Sequence, residues 1–322
     1  MRLVKISEYN HHTMVLAKPI YDSKRRILLA AGRTIIPKIK IRLQQMGIRF
    51  LFIEDEVSKG IHIDDLIDMP TWTESIGVVA TFHNRVNSGL TPDLQELQQV
   101  VKKLIDEVKS RPILILIPAS TMPKELQFYA HTVNVAILSL ITAKKMNYIE
   151  RKLHDLALGC LLHDIGKMIT DQYEKHPEIG FNYLRNLSQF SVVSAHIAYQ
   201  HHETMDGKGF PRGLEGDDFL EMAQICGVAN YYDNLIAQDQ LPPHDAMEAI
   251  MASADQLYKH SIINAFRQSV PTYPPGTKVM VNGEEAIVTQ INKHLQRPIV
   301  KVLSNNKELD LAELPTMMIY PN

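Results

Sequence analysis

Only two cysteines occur in the 322 residues, Cys160 and Cys226. Both sit in apolar helical patterns, so the chain does not read as a disulfide scaffold, and a reducing, cytoplasmic setting is expected. Long apolar runs are absent too. The longest, "RPILILIPAS" at 111–120, is too short for a membrane span and is interrupted by Pro118. The N-terminal "MRLVKISEYN" lacks the apolar core of a signal peptide. Net charge is nearly missing: 34 Lys and Arg against 36 Asp and Glu give −2. No global basic field therefore recruits nucleic acid or an anionic membrane, and neither partner is expected. A phosphate-bearing ligand would have to be held by local groups or by metal ions. No internal repeat or low-complexity tract appears. What is present is an ordinary globular composition, 45% hydrophobic and 22% charged, in a chain long enough for two or three domains.

Four segments follow from the patterning. Residues 1–68 read as a small α+β module. "MVLAKPIYD" and "RILLAAGRTI" look like strands joined by the polar turn Asp22-Ser23-Lys24. "PKIKIRLQQMG" is a short helix with Pro37 at its start and Gly47 at its end, and "IRFLFIED" is a third strand. Residues 69–123 form a helical connector, with apolar residues at i, i+3 and i+4 in "SIGVVATFHNRVNSG" and "DLQELQQVVKKLIDEVKS" and Asp93 as a cap. Residues 124–268 are almost entirely helical in pattern, with helices expected at 124–146, 149–165, 176–188, 190–203, 217–237 and 244–267. Residues 271–322 show short alternating runs around the hairpin signal Asn282-Gly283 and read as a small β-barrel-like module. The fold class expected is mainly α, an all-α bundle flanked by a small N-terminal α+β module and a small C-terminal β module.

The 14 histidines are unevenly placed, and seven of them crowd into residues 131–202. The stretch "CLLHDIGK" at 160–167 runs an apolar lead-in directly into His163-Asp164. His131, His163, Asp164, His176, His201 and His202 come from separate expected helices, and helix bundles build metal sites in this way. A single histidine on an apolar face is commonly a hydrogen-bonded core residue. Six such groups in one bundle, without a shared partner, would leave several buried polar atoms unpaired. Imidazole and carboxylate suit Fe, Mn or Zn. Asp164 could bridge two ions through its two oxygens, and such ions generate hydroxide at neutral pH for in-line attack on phosphorus. Lys167, one helical turn beyond, could clamp a non-bridging phosphate oxygen or simply carry charge near a helix end.

The loop "HHETMDGKGFP" follows at 201–211. Asp206-Gly207 and Gly209 open a tight turn that Pro211 keeps from becoming helix. Glu203 and Asp206 are candidates to accept from imidazole N–H groups. Phe210 is either a ring on which a nucleobase stacks or a structural plug.

Five stretches, "HTVNVA" (131–136), "LLHDIGK" (161–167), "HPEIGFNYL" (176–184), "QHHETMDGKGFPRGLEGDD" (200–218) and "ICGVANYYDNLI" (225–236), resemble in that order the HD-GYP domain. "VLAKPIYDSKRRILLAAG" and "GTKVMVNGEEAIVTQI" look like modules that accompany it in bacterial proteins. The resemblance implies an all-α HD fold, a bi- or trinuclear centre of divalent ions, iron or manganese foremost, and hydrolysis of cyclic di-GMP to pGpG or GMP. By position it makes His131, His163, Asp164, His176, His201 and His202 metal ligands and Asp164 and Lys167 catalytic. Lys167, Asp206, Gly207, Gly209, Phe210, Pro211 and Asp233 would lie at the substrate, with Glu203 behind the ligands.

The chain also departs from the family. The GYP tyrosine is Phe210. The aspartate ligand of the family's "ADxxDA" stretch is Asn230, a weak or absent ligand. The glutamate of trinuclear members falls at Gln127, the expected basic residues fall at Asp239 and Pro242, and the lid segment is the short "MITDQYEK". Two function classes follow. One is a cyclic-dinucleotide phosphodiesterase with at most two ions, acting through a metal-bridged hydroxide at reduced rate. The other is a non-hydrolytic dinucleotide sensor or protein-interaction module that retains metal, with signalling partners on its terminal modules. An oligomer is compatible with either.

Overall fold

The computed structural model describes residues 1–292 and 294–321. Its contacts divide the chain into two units, one of residues 1–66, 117–127 and 271–322, the other of residues 67–116 and 128–270. The expected connector at 69–123 is thus divided between the two units, and the two terminal modules share one.

In the first unit, β1 (Arg2–Lys5), β2 (Val15–Leu16) and β5 (Phe50–Glu54) form an antiparallel sheet in the order β1-β5-β2. β3 (Ile20–Tyr21) and β4 (Ile27–Leu29) make a separate hairpin. Asp22 closes the intervening turn by accepting from the backbone N–H groups of Lys24 and Arg26, both at 2.9 Å. α1 (Pro37–Gln45) lays Leu43 onto a core with Val4, Ile6, Leu16, Leu51 and Ile53. The C-terminal residues of this unit form five antiparallel strands, β6 (Lys278–Val281), β7 (Glu284–Gln290), β8 (Ile299–Val302), β9 (Glu308–Asp310) and β10 (Ile319–Pro321). Asn282 (φ 48°) and Gly283 (φ 89°) supply the two left-handed positions of the β6–β7 turn. The order is β10-β6-β7-β8-β9, so among the described residues the ladder ends at β9 and β10 and does not close into the expected barrel.

The second unit is helical: α2 (Met69–Asn87), α3 (Leu94–Ser110), α4 (Lys124–Lys145, from Phe128 onward), α5 (Glu150–Leu161), α6 (His176–Leu184), α7 (Val192–Gln200), α8 (Glu221–Ala237), α9 (Pro243–Ala252) and α10 (His260–Arg267). Asp68 and Asp93 cap α2 and α3 by accepting from Thr71 and Gln95 N–H at 2.9 and 2.8 Å. α3 buries Leu97, Val100, Val101, Leu104, Ile105 and Val108, the stripe its spacing implied. α4, 22 residues long, has the length and apolarity of a membrane span, contrary to expectation, and is mostly buried, as the core helix of a folded unit would be.

Several expected helices have other bounds: 176–188 stops at Leu184, and 217–237 opens only at Glu221. The span 244–267 breaks into α9 and α10, because Asp255 turns left-handed (φ 58°) and accepts from His260 N–H at 2.9 Å. The span 190–203 shortens to α7, opened by Ser191, which accepts from Ser194 N–H. The span 149–165 stops at Leu161, and this break builds the site.

Candidate metal centre

An α-helix turns successive side chains about 100° apart, so a helix through 165 would separate His163 from Asp164. Instead, Leu162 (φ −123°, ψ 14°) and Asp164 (φ −100°, ψ 12°) leave helical geometry, and a 3₁₀ turn runs over Ile165–Met168. Both side chains then face one point, with His163 Nε2 3.5 Å from Asp164 Oδ2. Lys167, placed by that 3₁₀ turn, sets its Nζ 2.6 Å from Asp164 Oδ2. His131 comes from the middle of α4, His176 opens α6, and His201 and His202 follow the end of α7.

Each imidazole of four is held by its Nδ1. His163 Nδ1 donates to Cys160 O at 2.7 Å, His201 Nδ1 to Ala198 O at 2.8 Å, His176 Nδ1 to Tyr173 O, and His131 Nδ1 to Asp233 Oδ2 at 2.7 Å. A neutral ring that donates from Nδ1 must present a lone pair at Nε2. Those Nε2 atoms converge. One donor group comprises His131, His163 and Asp164, the other Asp164, His176, His201 and His202, and within each group the candidate atoms lie within 4.8 Å of one another.

The surroundings match what a cation would require. His163 Nε2, His202 Nε2 and Asp164 Oδ1 are buried without a hydrogen-bond partner. Asp164 Oδ1 stands 3.0 Å from His176 Nε2 and 3.4 Å from His201 Nε2 without hydrogen-bond alignment. His176 Nε2 and His201 Nε2 stand 3.3 Å apart, and adjacent ligands on one ion at about 2.1 Å each are about 3 Å apart. Burial drives the pKa of His163, His201 and His202 down, keeping them neutral. Burial alone would raise that of Asp164, but His163, the approaches of His176 and His201, and Lys167 outweigh it and hold the carboxyl well below the usual range. The result is neutral nitrogens around an anionic carboxylate, a donor set that fits divalent ions.

Other residues expected at the site divide into near and far. Asn230, on α8, is near: its Oδ1 is 3.0 Å from His131 Nε2. Phe210 is near but occupied, stacked on His202 with centroids 4.5 Å apart and planes at 15°. Glu203 does not meet a histidine. Fully buried, it accepts from the N–H groups of Arg212 (2.8 Å) and Leu214 (2.9 Å) and ties the loop to itself. Asp206 is likewise turned to local work, accepting from Thr204 Oγ1 at 2.7 Å and pairing with Lys208 at 3.2 Å. Gly207 (φ 71°) makes the turn, and Pro211 follows a cis peptide. A Cβ on Gly209 would lie 2.4 Å from Glu203 Cα, so only glycine lets the chain after the turn return to His202. Asp233, expected at the substrate, is instead spent on His131. Gln127 donates to the carbonyls of Gly47 and Met122, both at 2.8 Å.

Two neighbours were not anticipated. Tyr173 packs its ring against His176, His202 and Phe210, and its only sequence signal is an aromatic in a polar segment three residues before His176. His83, buried on α2, donates from Nδ1 to Val79 O at 2.9 Å and leaves Nε2 unpaired. Burial lowers its pKa to about 4, against a partial pull from Asp164.

Residues 124–262 match the family model of the HD domain, and every residue of the two donor groups lies inside them. This helical stretch of the chain is similar to the HD domain. The chain is 26% identical over 246 residues to a cyclic di-GMP phosphodiesterase of Pseudomonas aeruginosa, covering 70% of this chain and 59% of that protein. It is 28% identical over 164 residues to a cyclic di-GMP phosphodiesterase of Thermotoga maritima, covering 44% and 45%. The chain thus spans about half the length of these curated relatives. Among solved structures, an HDG"Y"P protein of Bdellovibrio bacteriovorus shares the fold with a TM-score of 0.54, at 18% identity, over 82% of this chain and 97% of that one. The HD-GYP resemblance of the spaced motifs is borne out.

Proposed function

We propose that the protein is a metal-dependent phosphodiesterase acting on a cyclic dinucleotide, cyclic di-GMP foremost, with pGpG or GMP as product. The observation that carries this reading is the convergence of imidazole nitrogens on Asp164, with the rings of His131, His163, His176 and His201 locked from behind by Nδ1. His131, His163 and Asp164, with Asn230 as a neutral fourth donor, would hold one divalent ion. Asp164, His176, His201 and His202 would hold a second. Iron or manganese suits this set, and zinc is chemically compatible. Bound, such ions act as Lewis acids on a phosphoryl group and let water ionise near neutral pH.

The protein's own residues would do the rest. Asp164 keeps its carboxylate anionic and shares it between the two donor groups. Lys167 Nζ, partly exposed, moves from Asp164 to a non-bridging phosphoryl oxygen. Tyr173, 58% exposed and beside Phe210, offers a ring face to a guanine, whereas Phe210 backs His202. Both cysteines are free and buried, which supports a reducing cytoplasmic setting. The terminal modules are left to contact signalling partners.

Asn230 favours a second reading, a sensor that binds the dinucleotide and metal without turnover. Protein purified anaerobically and loaded with Fe(II) or Mn(II) separates the two. Turnover of cyclic di-GMP or cyclic GMP-AMP, lost in Asp164→Ala, supports the enzyme. Binding without turnover in both metal forms supports the sensor, and fewer than one ion per chain, not restorable, sinks both.

A further inference from the structure

His131 ends a line of buried hydrogen bonds that begins on α2, outside the HD stretch. The Trp72 indole Nε1–H donates to Asn134 Oδ1 at 2.9 Å. Asn134 Nδ2–H donates to Asp233 Oδ1 at 3.1 Å. Asp233 Oδ2 accepts from His131 Nδ1 at 2.7 Å. All four residues are buried.

Every direction in this line is dictated by the first donor. An indole N–H can only donate, so the Asn134 oxygen must face it and the Asn134 NH₂ must face Asp233. A carboxylate only accepts, so a proton of His131 sits on Nδ1, and in the neutral ring Nε2 offers a lone pair. Opposite that lone pair stands another. Asn230 Oδ1 accepts from Asn234 Nδ2 at 3.0 Å, which directs the Asn230 oxygen, and not its NH₂, at His131 Nε2. Two lone pairs 3.0 Å apart call for a cation.

Charge points the same way. Asp233 is 3% exposed, and among the described residues its hydrogen-bond and ion-pair partners are His131 and Asn134, with no Lys or Arg. A buried carboxylate that faces no Lys or Arg is costly unless positive charge lies nearby. Asn230 brings an oxygen to His131 but no charge.

We propose that Trp72, Asn134 and Asp233 are positioning residues that fix His131 as an Nε2 donor. Asp233 supplies, from behind His131, the negative charge that Asn230 does not bring to the cation. This rests on the reading that His131 holds a divalent ion.

The test uses the full chain, stripped of metal, titrated anaerobically with Mn(II) alone. Trp72 is the sole tryptophan, so indole emission reports its end of the line while ions per chain and affinity report the other. The unmodified chain is expected to bind two ions and to change its emission as they bind. Asp233→Asn is expected to weaken one ion by about 10- to 100-fold and leave the other at wild-type affinity. Trp72→Phe, which frees the Asn134 amide to turn over, is expected to weaken the same ion. Should Asp233→Asn fail to fold, Trp72→Phe and the emission change decide. Two ions bound with flat emission, or with unchanged affinity in a folded variant, overturn the positioning role alone. A wild-type chain that takes up no manganese overturns the metal reading and this inference with it.

Discussion

Gly166 and His176 touch through their backbones: a Cβ built on Gly166 would lie 2.0 Å from the His176 carbonyl oxygen. Gly180, one turn further along α6, would bring its own Cβ within 3.1 Å of Gly166 N. The two glycines let the turn carrying Asp164 and the start of α6 approach closely enough for Asp164 Oδ1 to reach 3.0 Å from His176 Nε2.

Gly166→Ala is therefore expected to push α6 off the 165–168 turn. Overpacking of this kind costs about 1–3 kcal/mol. The ion on Asp164, His176, His201 and His202 should be lost before the ion on His131. Thermal denaturation and metal stoichiometry check this together, and a variant that keeps both ions at wild-type stability would contradict it.

Asn230→Asp should do the opposite at the other donor group. A carboxylate facing His131 Nε2 adds a charge to the ligand sphere, and ligand charge tunes cation affinity. Affinity there is expected to rise by about tenfold or more, and turnover of cyclic di-GMP with it. The metal-free variant should be less stable than wild type, since Asp233 already places an anion beside His131. Calorimetric metal titration and melting with and without metal read both effects.

Acid should destabilise the metal-free protein through its buried histidines. The folded pKa of His83 lies near 4 against an ordinary value of 6.5, because burial disfavours the imidazolium. Between these values the unfolded chain binds a proton that the folded chain refuses, so stability falls as pH drops below about 6.5 and the loss levels off near 4. For His83 alone this amounts to about 3 kcal/mol. Denaturant titrations from pH 7 to 4 should show a shallower decline in His83→Phe, and an unchanged slope would contradict the assignment.

Much of this was legible in the chain, because local patterns are written locally. The stripe on α3, the cap at Asp93, the Asn282-Gly283 turn and the histidine crowd each depend on residues close in sequence. Helix ends were less legible. Nothing in "LGCLLHDIGK" announces that α5 stops at Leu161, since the stop is set by what Gly166 must pack against ten residues later. The partners of carboxylates were least legible. Glu203, Asp206 and Asp233 all suit a site by type and spacing, yet Glu203 and Asp206 serve their own loop and Asp233 serves His131. A carboxylate goes to whichever donor the fold brings within 3 Å, and sequence spacing does not state that distance.

By itself, then, the sequence determined the residue types of the centre, its place in a helical unit and its likeness to the HD domain, because those follow from composition and ordered motifs. The tertiary structure alone decided which nitrogen of His131, His163, His176 and His201 faces inward. That choice belongs to the carbonyls of Cys160, Tyr173 and Ala198 and to the carboxylate of Asp233. It also decided that Asn230 points its oxygen at His131, because Asn234 holds the amide from the other side. Hydrogen-bond direction is a property of packed neighbours, and only the folded chain supplies them.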